Sequence, residues 1–222
     1  MPYVRPLWPR QVAAFSRRQH EGGRTNLNPQ LRAACDWWLN TLLTARPREI
    51  AVCLGERHRI VSYSDGEGSE AGVGVAFWSS ALPRAQAAYL QVPDELRQHW
   101  RSQRARNDKY GYGDIMEVEA IGPLILLDTY PRCFEGALWI HFVDNNGALS
   151  CLVNGSASVH QTDCIVGETW SRIAALGVLP WFDRVDTHSN PSDGLSRGKF
   201  EGPWDFQKIT LSDNIFALLK AQ

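Results

Sequence analysis

Residues 59–78 read RIVSYSDGEGSEAGVGVAFW, two runs of β-favouring residues separated by a glycine-bearing turn. The first, 59–65, alternates and ends on Asp65; the second, 71–78, comes after the turn GEGS. Alternation of period two on both sides of such a turn predicts an antiparallel pair. AAYLQV at 87–92 adds a third strand at close spacing, so the chain starts its globular part with an antiparallel meander.

Beyond the basic segment 96–113 the pattern turns to helices alternating with strands. Spacing predicts a helix around 119–130, a strand over 137–144 ending on Asp144, and a short helix over 145–153. A longer helix over 163–177 stops at Gly177, and a last strand covers 178–186. A loop, THSNPSDGLSRGKF (187–200), leads through Asp193 into a further helix. Three antiparallel strands followed by βα alternation give an α/β fold. Its mixed five-stranded sheet has antiparallel strands first, then parallel βα units, with helices on both faces. Ligands of such sheets gather at the carboxyl ends of the strands.

The N-terminal segment has a different character. Residues 1–49 form a basic, helical extension: residues 1–50 carry eight arginines against three acids. NPQLRAACDWWLNTLL (28–43) has apolar positions at helical spacing behind an Asn-Pro start. EIAVCL (49–54) reads as a short strand, residues 50–205 as the main domain and 206–222 as a C-terminal tail.

The five cysteines are scattered and form no CxxC pair, which argues against a disulfide framework or zinc site and favours a reducing, intracellular compartment. No apolar run reaches the roughly 20 residues of a membrane span, and the first residues lack a signal-peptide core, so neither membrane insertion nor secretion is expected. The net charge of −1 is unevenly spread. Residues 96–113 hold Arg97, Arg101, Arg104, Arg106 and Lys109 against Asp108, interleaved with Trp100, Tyr110 and Tyr112. Basic residues mixed with aromatics suit a nucleic-acid backbone as well as a solvated helix face.

Asp65 and Asp144 each close an apolar strand, Asp193 comes after the last strand, and Glu117 or Glu119 is available from the helix between them. Four converging carboxylates repel one another, and hard divalent cations are the usual compensation. Two such ions roughly 4 Å apart form a site for in-line displacement at phosphorus.

YSDGEGSEAGVGVAFW, EAIGPLILL, FVDNNGAL and NPSDGLSRG together resemble the ribonuclease H domain of retroelement reverse transcriptases, most of all the gypsy-type and DIRS-like groups, over roughly residues 58–200. The most specific piece is NPSDGLSR, similar to the family's Asn-x-x-Ala-Asp-x-Leu-Ser-Arg signature with Ser192 in the alanine position. The resemblance implies a ribonuclease H-like fold and a metal-dependent endonuclease that cuts the RNA strand of an RNA–DNA hybrid. It implies two magnesium ions, or manganese in their place. Asp65 would bridge them, Glu119 and Asp144 would hold one side and Asp193 the other. Glu119 is preferred to Glu117 because it stands 25 residues before Asp144 with Gly136 in the intervening turn, as in the family. Pro123 agrees: proline is tolerated only in a helix's first turn, which a helix starting near Glu119 provides. His188 is the candidate for a loop histidine assisting product release or proton transfer.

Residues 1–49 resemble the end of a reverse transcriptase polymerase, which makes such a polymerase a candidate partner while no polymerase activity is expected of this chain. Substrate contacts are expected from Ser64 and Asn145, beside two ligands, and from Arg101, Arg104, Arg106 and Lys109. Two departures stand out: Asp65-Gly66-Glu67 where the family has Asp-Ala-Ser or Asp-Ser-Ser, and the long basic insertion. Two rival readings use the same fold. One is a 3′–5′ exonuclease built on Asp65, Glu67, Asp144, His188 and Asp193; the other is a catalytically silent nucleic-acid-binding remnant.

Overall fold

A computed structural model of the chain describes residues 57–105, 114–201 and 203–221, together with Gly55 and six helical positions between Arg32 and Leu43. The chain divides into two compact units, Met1–Cys53 and Leu54–Gln222. In the first, Arg32, Cys35, Asp36, Leu39, Asn40 and Leu43 are helical, in agreement with the spacing over 28–43. The strand expected at 49–54 lies outside the described residues, as do Arg106, Lys109, Tyr110 and Tyr112 and the side chain of Arg104.

The second unit is an α/β structure around a mixed sheet of six strands: β1 (Arg59–Glu67), β2 (Gly72–Ser79), β3 (Gln86–Gln91), β4 (Leu138–Val143), β5 (Leu179–Arg184) and β6 (Gln207–Lys208). Their order is β5-β4-β1-β2-β3-β6. β1, β2 and β3 pair antiparallel as the meander predicts, while β4 lies parallel to β1, β5 to β4 and β6 to β3. The helices are α1 (Asp94–Ala105), α2 (Ile115–Ala120), α3 (Gly122–Thr129), α4 (Pro131–Phe134), α5 (Asn146–Asn154), α6 (His160–Ala175), α7 (Asp193–Ser196) and α8 (Asn214–Lys220).

Strand alternation sorts the sheet into two faces. Ile60, Val73, Val75, Phe77, Ala88 and Trp139 join one core with α2, α3, α6 and α8. Residues one step out of phase, Ala76 and Ala87 with Trp78 beside them, pack with Leu195 of α7 on the opposite face. α3 is buried all round from Gly122 to Leu127, Leu124 to Leu127 being fully inaccessible, as an apolar stretch of helix must be. Each such side chain contributes about 1.5–3 kcal/mol through burial.

The sheet has one strand more than expected, and the extra one comes from the segment set apart as a tail. β6 extends the meander edge, and α8 buries Ile215, Phe216 and Leu219 against Leu96 and Trp100 of α1. Trp100 is therefore a core residue and not an aromatic on a nucleic-acid surface; Leu96, Trp100 and the partners from α8 form one apolar seam that only the fold brings together. β1 runs two residues past Asp65, because the ladder with β2 continues to Glu67 opposite Gly72. The helix expected around 119–130 is two helices. α2 starts earlier, at Ile115, and the chain breaks at Ile121 so that Pro123 falls in the first turn of α3. Proline steric exclusion thus sets the break rather than the start of the helix that carries Glu119. Among the described residues no helix is long and apolar enough to cross a membrane.

Candidate metal centre

Asp65, Glu119 and Asp144 each offer a carboxylate oxygen, and these oxygens lie within 4.8 Å of one another. Asp65 comes from β1 and Asp144 from the residue after β4, its parallel neighbour, so both carboxylates face one sheet end. Glu119 reaches the same point from α2. The close approach of α2 depends on Gly66: a β-carbon there would stand 2.8 Å from the Glu119 backbone nitrogen and 2.9 Å from the Val118 carbonyl carbon. The Gly66 N–H donates to the Glu119 carboxylate at 3.2 Å. The small residue at the place where the chain departs from the resembled motif is what lets strand and helix touch.

Asp65 is 5% exposed and Glu119 8%. Burial raises the Asp65 carboxyl above the usual range, the Ser196 hydroxyl opposes that shift, and the charges of Asp144 and Asp193 add to it. Glu119 is pushed up to about 8, by burial first and then by Asp65 and Asp144, with the Gly66 N–H and the Asn145 amide acting against it. At neutral pH a proton therefore sits on Glu119, because dehydrated carboxylates this close cannot all be ionised unaided. An all-oxygen, anionic donor set of this kind fits a hard divalent cation, which would take the place of that proton.

Glu117, the alternative glutamate, is fully buried and accepts a hydrogen bond from Thr162 Oγ1 at 2.7 Å, so it faces α6 and not the cluster. The Glu67 carboxylate accepts from Ser69 N, Ser69 Oγ and Glu70 N, closing the hairpin turn; those bonds hold its pKa below the usual range.

Asp193 is near enough to Asp65 for its charge to be felt there, yet it stands outside the 4.8 Å group. Its side chain is 35% exposed and pairs with Arg197 at 2.6 Å. α7, which carries it, lies directly on β2. β-carbons at Gly72 and Gly74 would stand 2.0 and 2.3 Å from the backbone O and N of Ser196. Asn190 pins the preceding loop: its amide donates to the Ser64 carbonyl at 3.2 Å and its carbonyl accepts from Ser192 N at 3.0 Å. His188 sits in a single 3-10 turn, exposed, and lines a cleft together with Asp193.

Two of the expected substrate contacts take other roles. Ser64 is buried on the face opposite Asp65 by strand alternation, under Gly122, and its hydroxyl bonds His141 Nε2 at 3.0 Å. His141, with Ser62 Oγ 2.7 Å from Nδ1, is fully enclosed, and burial pushes its pKa down to about 3. Asn145 caps α5, its carbonyl oxygen accepting from Gly147 N and Ala148 N, while its amide bonds Glu119. It orients a candidate ligand. Arg101 donates to Asp114 Oδ1 at 2.9 Å while remaining half-exposed.

Adjacency in sequence did not single out Gly66, Asn190 or Ser196. Asn190 and Ser196 lie in NPSDGLSR and could have been found from its turn and helix-start chemistry; Gly66 could not, because its partner is 53 residues away. No protein-family model matches the chain, and no curated protein matches it.

Proposed function

We propose that this chain is a metal-dependent endonuclease of the ribonuclease H-like fold that cuts the RNA strand of an RNA–DNA hybrid. The observation that carries the proposal is the meeting of Asp65, Glu119 and Asp144, three carboxylates from a strand, a helix and the end of a parallel strand, within 4.8 Å. A sheet that begins as an antiparallel meander and continues with parallel units agrees with the resemblance. So does Asp193 on a helix laid over the strand next to that of Asp65.

In this reading Asp65, Glu119 and Asp144 hold magnesium or manganese, with Asp193 available to a second ion. Bound there, the cations would activate water and stabilise the leaving oxygen of an in-line displacement at phosphorus, leaving 5′-phosphate and 3′-hydroxyl ends. The protein's own contribution is to keep the carboxylates fixed: the Gly66 N–H and Asn145 amide aim Glu119, and the Ser196 hydroxyl closes the turn of Asp193 by donating to its backbone carbonyl at 2.9 Å. The 2′-hydroxyls of the hybrid would identify the strand to be cut. Arg101, Arg104, Arg106 and Lys109 are the proposed backbone contacts, and a reverse transcriptase polymerase the proposed protein partner. The exonuclease reading loses ground because the Glu67 carboxylate closes its own turn.

A catalytically silent binding module is the second reading, favoured by the Arg197 side chain that already occupies Asp193 at 2.6 Å. A labelled RNA–DNA hybrid incubated with the protein and magnesium or manganese separates the two, with Asp144→Asn as the control. Cleavage abolished by that substitution supports the nuclease. Binding retained without cleavage under either metal supports the silent module.

A further inference from the structure

Asp193 and His188 line a cleft whose other wall is the segment after α7, with Lys199, Pro203, Trp204 and Phe206. The metal chemistry makes no use of that wall, yet its rings are well braced. Trp204 leaves 51% of its surface exposed. Its ring nonetheless has a fixed setting: stacked on Phe206 at 6.3 Å and 27°, and edge-on to Trp78 at 5.8 Å. Phe206 in turn meets Trp78 at 5.6 Å. Backbone bonds pin both ends of the segment, Lys199 N to the Gly194 carbonyl at 2.9 Å and Gln207 N to the Ala85 carbonyl at 2.8 Å.

An exposed flat ring already ordered by its neighbours can stack a ligand with little further loss of freedom. The ammonium of Lys199, exposed in the same cleft, supplies a partner for an anion. A flat π-face and a cation lining one cleft match a nucleotide, whose base stacks while its phosphate pairs. A base inside a duplex has both faces covered and an end pair frees only one, held at the angle of its helix, so an unpaired nucleotide, free to turn its base onto the ring, suits such a platform best.

We propose that this cleft is a subsite for an unpaired nucleotide of the RNA strand, its base on Trp204 and its phosphate on Lys199, next to the phosphate held at the carboxylates. The assignment of the strand rests on the nuclease reading; the stacking does not. The protein would then favour hybrids that run out into single-stranded RNA over blunt ones.

The test compares a hybrid bearing a short single-stranded RNA extension labelled with 2-aminopurine against a blunt hybrid of the same sequence, bound to the Asp144→Asn protein in magnesium. The expected result is tighter binding of the extended hybrid. That preference falls about tenfold in Trp204→Leu, which keeps apolar bulk against Trp78, and is largely kept in Trp204→Phe. Quenching of the 2-aminopurine on binding is lost in the leucine variant only. Lys199→Gln lowers the salt dependence of the extended hybrid by about one phosphate contact. Thermal melting of each variant checks that it is folded. A preference and quench unchanged in Trp204→Leu overturn the subsite. A parallel cleavage assay with the unsubstituted protein keeps the two proposals apart. Trp204-dependent quenching without cleavage keeps the subsite and removes the nuclease. Cleavage with a preference indifferent to Trp204 does the reverse, and neither binding nor cleavage removes both.

Discussion

Glu119 and Asp193 approach the same end of β1 from opposite faces of the sheet, and they are held by different means. α2, carrying Glu119, is tied down by a buried hub. Arg97 Nε donates to Asp114 at 2.6 Å, at the N-terminus of α2, and its other nitrogens reach the Gly68 and Ser69 carbonyls of the hairpin turn at 3.2 and 3.5 Å. One guanidinium therefore joins the turn after Asp65 to the helix of Glu119. α7 has four residues and, among the described residues, no such hub; it rests backbone to backbone on Gly72 and Gly74, and its acid is partly in solvent with Arg197 beside it. The contrast separates a dry ligand whose charge needs a cation from a wet one already compensated by a side chain.

The largest effect should come from breaking the hub. Arg97→Met strands a buried carboxylate that Arg101 compensates only in part, and a loss of about 3 kcal/mol is expected, at the lower end for removing one partner of a buried pair. Urea unfolding measures it, and the double variant Arg97→Met/Asp114→Leu should recover much of the loss. No recovery would mean that the pair is not what holds α2.

The dryness of Glu119 has a pH signature in metal-free protein. Its folded pKa, about 8, lies above the unfolded value, so between roughly pH 4.5 and 8 the native state binds the extra proton and stability falls as pH rises. His141 acts in the opposite sense: with its folded pKa at about 3, stability falls as pH drops from about 6.5 toward 3. Metal-free protein should therefore show a plateau near pH 4.5–6.5 and weaken on either side. Glu119→Gln should remove the alkaline limb and turn the plateau into a rise that levels off near pH 6.5, a gain on the order of 3 kcal/mol at pH 8. An alkaline limb that survives this substitution would move the proton to another group.

The glycine seats sharpen the comparison. Gly66→Ala and Gly74→Ala each push a β-carbon into backbone, at 2.8 and 2.3 Å, and each should cost about 1–3 kcal/mol. Their functional consequences should differ. Displacing α2 weakens manganese binding measured by calorimetry, whereas displacing α7 leaves the three-carboxylate site to bind one ion. Equal losses of manganese affinity would show that Asp193 belongs to the same ligand set.

The smallest effect concerns Ser192, fully buried with its hydroxyl lacking a hydrogen-bond partner among the described residues. Ser192→Ala removes a dehydrated polar atom and should stabilise by roughly 1 kcal/mol, seen as a higher melting temperature. Destabilisation would point to a partner for the hydroxyl that the contacts around it do not reveal.

Much of the fold was legible from residue patterns. Alternation at 59–65 and β-favouring runs bounded by turns elsewhere located five strands to within two residues at their ends, because strand and turn propensities are local properties. Asp144 at the end of β4 came from the same reasoning, and Pro123 correctly implied a first helical turn. The C-terminal segment was not legible: a two-residue strand carries no periodicity, and α8 is recognised as core only once Leu96 and Trp100 are seen beneath it. Nor did the charge run 96–113 reveal that Arg97 points inward, since a buried arginine and a solvated one look alike until Asp114 is placed against it.

The sequence by itself determined five of the six strands, the turns of the meander and a first helical turn at Pro123, all consequences of backbone sterics and side-chain pattern acting over a few residues. Only the tertiary structure decided which polar groups meet. Ser64 and Asp65 are neighbours, yet the pleat sends one to His141 and the other to the carboxylates. Glu117 and Glu119 are two apart, yet the helix turn gives one to Thr162 and the other to the cluster. Convergence of residues 65, 119 and 144 depends on long-range packing on Gly66 and on the pairing of β1 with β4, which no local pattern encodes.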